Sequence, residues 1–72
     1  MNSAIARSVS WGDLIVREVD PSARYEVIRP EMTPDLFVRM MTLNRLFREA
    51  GFKIIGDAGH LDDGRILTVF HK

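Results

Sequence analysis

The chain has 72 residues, with ten basic and ten acidic side chains and no cysteine. That length holds one domain with a marginal core, and the missing cysteines exclude disulfide staples and thiolate metal sites. A net charge of zero speaks against a free-standing nucleic-acid binder, which carries a positive excess, and against a nucleic-acid mimic, which is strongly acidic.

In chain order, Asn2 to Trp11 is ambiguous between a strand and a short helical turn, and residues 1–12 read as an extra strand or a covering arm. Gly12-Asp13 suits a two-residue hairpin turn. Leu14 to Val19 is rich in β-branched residues and predicts a strand. Asp20-Pro21-Ser22-Ala23 predicts a turn, because proline presets φ and Asp bonds back to the backbone. Tyr25 to Arg29 alternates, with Tyr25 and Val27 on one side and Glu26 and Ile28 on the other. Pro30 cannot donate to a ladder and ends that strand.

The clearest element is a helix from Pro34 to Ala50. Thr33 is a good N-cap, Pro34 fits the first helical position, and Asp35 complements the positive end of the helix dipole. Gly51 is the residue expected just past the C-terminus. Phe52 to Ile55 then predicts a strand made irregular by Gly56 and Gly59. Asp62-Asp63-Gly64 predicts a turn before a last strand over Arg65 to Phe70, with Ile66, Thr68 and Phe70 on one face. The expectation is an α+β domain of order β-β-α-β-β spanning 1–72, one helix on a mainly antiparallel four-stranded sheet, with residues 1–12 left open between an extra strand and a flexible or covering arm.

At about 100° per residue, Leu36, Met40, Leu43, Phe47 and Ala50 form one stripe, flanked by Leu46, that predicts the core face. Phe37, Val38 and Met41 fall outside it, beside Arg45 and Arg48. Phe, Met and Arg in one patch resemble interface composition, unless the N-terminal segment folds over that face. Ile15, Ile28, Ile55, Leu67 and Val69 point to the sheet face away from the helix, where either the N-terminal segment or another chain would have to cover them. Arg39, Arg45 and Arg48 spread around the helix instead of forming a basic stripe, and Glu49 lies four residues after Arg45.

Asp57, His60, Asp62 and Asp63 form the densest ionisable cluster, and a His between carboxylates suits general-base work. No zinc-protease, calcium-loop, phosphate-loop or nucleophile-elbow motif accompanies them, so neither a metal nor a cofactor is expected. His71 reads as a strand-end residue.

The stretch LFREAGFKIIGDAGHLDDGRILTVFHK, Leu46 to Lys72, resembles the second half of HicA-type toxins: a helix ending in Gly-Phe, a strand, a Gly-x-His that carries the catalytic His, and a hairpin closing with a basic end. That resemblance implies a small ribonuclease with His60 as catalytic base. The family begins with a helix and is basic, whereas this chain begins with strands and is neutral.

The leading expectation is therefore a non-enzymatic protein–protein interaction module. It would be a small regulator or inhibitor of the kind phage and mobile elements carry, working through Phe37, Val38, Met41, Arg45 and Arg48 on a protein partner or by self-association as a dimer. The alternatives are a ribonuclease using His60 and a nucleic-acid-binding module. No apolar run reaches the ~20 residues needed to cross a bilayer, and no secretory pattern opens the chain, so no membrane partner is expected and the cytoplasm is the expected compartment.

Overall fold

The computed structural model describes residues 7–72. Five strands and one helix follow in the order β1 (Ser8–Trp11), β2 (Leu14–Asp20), β3 (Arg24–Arg29), α1 (Pro34–Glu49), β4 (Lys53–His60) and β5 (Ile66–His71). The strands form one sheet of order β1-β2-β3-β5-β4, and every neighbouring pair is antiparallel. The expected α+β class holds, with the N-terminal strand present. Of the arm expected over 1–12, Ser8–Trp11 pairs with β2 as an edge strand, and residues 1–6 lie outside the described residues.

Local chemistry explains the punctuation. Gly12 takes φ +62°, which the turn between β1 and β2 requires. Asp20 accepts from the Ser22 backbone N–H at 3.0 Å and from the Ser22 hydroxyl at 2.8 Å, closing the next hairpin. The Thr33 hydroxyl accepts from the Leu36 N–H at 3.2 Å as the N-cap of α1, with Pro34 in the first turn. Gly51 leaves the helix at φ +91°. Chain direction then dictates the crossover. β3 and β4 run parallel with β5 inserted between them, so α1 carries the chain across the sheet before β5 fills the gap.

The core lies between α1 and one sheet face. Leu14, Val27, Leu36, Met40, Leu43, Phe52 and Phe70 are buried there, with Val16, Tyr25 and Phe47 packed against them. Phe47 stacks on Phe70 at 4.5 Å between ring centroids, and Tyr25 and Phe52 meet edge-on at 5.3 Å. Each fully buried large apolar side chain contributes about 1.5–3 kcal/mol, and a domain this small has few of them.

Three sequence expectations need correction. Leu46 is 51% exposed and Ala50 is the exposed C-cap, because the helix sets the stripe Leu36, Met40, Leu43 and Phe47 toward the sheet and turns Leu46 off it. Of the aliphatics expected on the open sheet face, Ile28 and Val69 are buried, Ile15 and Leu67 half-buried, and Ile55 alone is exposed. Ile28 and Val69 sit on β3 and β5, each flanked by strands on both sides. Across the same face Glu26 accepts from Arg17 and from Arg24, the latter at 2.9 Å, so an ion-pair clasp occupies its centre. Finally, β4 reaches His60 rather than ending at Ile55.

Candidate functional site

The patch predicted on α1 is open. Phe37 is 52%, Val38 61% and Met41 56% exposed, with Arg45 and Arg48 exposed beside them. No part of the chain among the described residues folds over them: β1 lies at the far edge of the sheet. Arg39 ties α1 to it: Nη1 donates to the Trp11 carbonyl at 2.9 Å and Nη2 donates to Asp35 at 3.1 Å. Arg39 thus marks the flank of α1 that faces the β1–β2 hairpin. Phe37, Met41 and Asn44 mark the other flank, which faces β4.

Between that second flank and β4 runs a cleft of about 250 Å³. Met32, Phe37, Met41 and Ile54 form its apolar rim, each between 44% and 56% exposed. These four come from a loop, the helix and a strand, so the apolar surface crosses element boundaries. The floor is polar at one end. Asp57 accepts from the Thr68 hydroxyl at 2.8 Å and from Arg29 Nη2 at 3.2 Å, and Arg29 also donates to the Pro30 carbonyl at 3.1 Å. Arg29 and Thr68 are buried, while Asp57 keeps half of its side chain in water. Asn44 lines the same cleft, and its Oδ1 is buried with no hydrogen-bond partner.

Two irregularities in β4 put Asp57 there. Ile54 is opposite Phe70 and Gly56 opposite Val69, so Ile55 is an extra residue; Asp57 is opposite Thr68 and Gly59 opposite Leu67, so Ala58 is another. Each insertion flips the alternation of side chains. A regular strand carrying Ile54 on the helix side would turn Asp57 away from it. The bulge returns Asp57 to the helix side, within reach of Arg29. Gly56 at φ +110° and Gly59 at φ +151° supply the backbone freedom.

The acidic cluster around His60 does not assemble. Asp57 is committed to Arg29 and Thr68, and Asp63 to Arg65, accepting its backbone N–H at 3.0 Å and its Nε at 2.7 Å. Those contacts, the backbone N–H foremost, hold the Asp63 carboxyl below the usual carboxylate range. His60 is exposed, and no carboxylate is paired with it among the described residues. No group of three or more metal-ligating side chains occurs among the described residues either. Glu26 is the one buried carboxylate among the described residues. The hydrogen bond from Arg17, supported by Arg24, holds it below the usual range against the opposing effect of burial. Its partners are fixed, and that makes it a structural clasp on the sheet.

Sequence reading found the helix patch and missed Met32, Ile54 and the Arg29–Asp57–Thr68 floor. Gly56 and Gly59 were the available signal, since paired glycines in a strand mark bulges that re-aim side chains. No protein-family model, no curated protein and no solved structure matches the chain.

Proposed function

We propose that this chain is a non-enzymatic protein-binding module, a small regulator or inhibitor that occupies a surface of a larger protein. The contact surface is the outer face of α1 with the β4-side cleft: Phe37, Val38, Met41, Arg45 and Arg48, extended by Met32 and Ile54. One observation carries the reading. Large apolar side chains from three separate elements converge on one surface while remaining about half exposed. Singly scattered apolar residues need no explanation, whereas a contiguous rim of Met, Phe and Ile edged by Arg has the composition of an interface centre. Met32 and Met41 add side chains that adapt to an irregular partner.

The test is a comparison of co-purifying proteins from the native host. The Met41→Glu/Arg45→Glu variant should keep the wild-type circular dichroism and melting curve and lose the partner. A Val19→Glu control, placed on exposed β2 surface outside the helix patch, should keep it. Unfolding of the double variant would identify the face as core, and retention of the partner would place the contact elsewhere. No observation favours the ribonuclease reading, because His60 meets no orienting acid.

A further inference from the structure

The charges on this surface state what kind of partner it fits. Arg17, Arg24, Arg29, Arg39 and Arg65 are each within ion-pair distance of a carboxylate. Arg45 and Arg48 are not, and they lie one turn apart on the face that also carries Val38 and Met41. Lys53 lines the adjoining hollow with Arg48 and Asn44. Glu49 is the one carboxylate on that groove, and although it is four residues from Arg45 it forms no ion pair with it. The surface therefore grades along α1, from an apolar end at Met32 and Phe37, through Met41 and Ile54, to a cationic end at Arg45, Arg48 and Lys53. Among the described arginines Arg7, Arg45 and Arg48 are outside ion pairs, and the last two stand together beside the apolar rim, a placement complementary to carboxylates supplied from outside.

Resting on the protein-binding reading, we infer that the occupant is an acidic amphipathic helix of a partner protein. Its apolar stripe packs on Phe37, Met41 and Ile54, and two carboxylates a turn apart reach Arg45 and Arg48. Strand addition is the alternative for an edge such as β4. Residues 53–60 are interrupted by two bulges, which break the even row of donors and acceptors that an added strand needs. A second copy of the chain fits poorly as well. The acids of α1 are Asp35 and Glu49, and Asp35 already serves Arg39. Each copy would bring two free arginines and one free carboxylate to the contact. A nucleic acid would satisfy the arginines and leave the apolar rim without a partner.

The experiment is a display selection of randomised amphipathic helices on the intact chain, run in parallel on Arg45→Glu/Arg48→Glu and on Met41→Glu. The wild type should enrich helices with a Leu, Met or Phe stripe and Asp or Glu one turn apart. The charge-reversed chain should bind the best of these about tenfold or more weakly and select Lys or Arg in their place. Enriched helices with no acidic bias would overturn the inference and leave the protein-binding reading standing. Enrichment no better than on Met41→Glu would remove both. Mass measurement completes the test: a dimer that Met41→Glu dissociates makes the occupant a second copy and overturns the inference. Binding of a single-stranded RNA probe that is lost on charge reversal overturns it in favour of nucleic acid.

Discussion

The two flanks of α1 are built oppositely. Toward β1, Arg39 reaches over the hairpin turn at Gly12 and bonds to the Trp11 carbonyl and to Asp35. Toward β4, Phe37, Met41 and Ile54 stand half-exposed around a cleft. The same helix, over the same core, is sealed on one side by a single long side chain and left unsealed on the other. In a 72-residue chain with a marginal core, apolar surface left unsealed is stabilisation forgone. That asymmetry is the argument for a function on the unsealed side.

The largest test of the contrast is Leu14→Ala. Leu14 is fully buried, so the loss should be about 2–5 kcal/mol, read as a fall in the denaturant midpoint. The sealing device itself is the next target. A Cβ on Gly12 would sit 2.5 Å from Arg39 Nη1, at a φ of +62°. Gly12→Ala should cost roughly 1–2 kcal/mol for the left-handed backbone alone, and more for displacing Arg39. Arg39→Ala in the same chain should remove the second part, so the double variant should lose less than the sum of the singles.

Acid should separate the faces further. Glu26 titrates lower in the folded chain than in the unfolded one, because of Arg17 first and Arg24 second. Its contribution is therefore complete above the ordinary glutamate range and is lost as pH falls through the depressed folded value. Stability of the wild type should drop through that acid window, and Glu26→Gln should flatten the drop in a series of melts at stepped pH. The smallest effect belongs to the open flank: Met41→Ala should change stability by no more than about 0.5 kcal/mol. A loss comparable to that of Leu14→Ala would mean the flank is part of the core.

Much of this fold was legible before any coordinates. The helix announced itself through Thr33, Pro34 and Gly51, because capping and backbone chirality are local effects. β2, β3 and β5 showed the alternation that a half-buried sheet imposes. β4 did not, because two inserted residues break the period on which such reading depends. With it went the placement of Asp57 and the rim residue Ile54. β5's position between β3 and β4 was hidden as well, since strand order depends on which surfaces fit and not on local pattern. The open faces of β3 and β5 misled for the same reason. Ile28 and Val69 look solvent-facing in sequence, and both are buried on the two central strands β3 and β5. The helix patch was readable because a wide apolar arc on a 3.6-residue period exceeds what one sheet can cover.

The sheet's two outer borders have a consequence for how this molecule behaves when concentrated. One border is the four-residue strand Ser8–Trp11, and the other is the twice-kinked run from Lys53 to His60. Neither offers a straight template on which copies could stack, rung upon rung, into a fibre. Growth of the sheet from copy to copy, the one mode of association that would propagate without limit, is thereby discouraged at both of its ends.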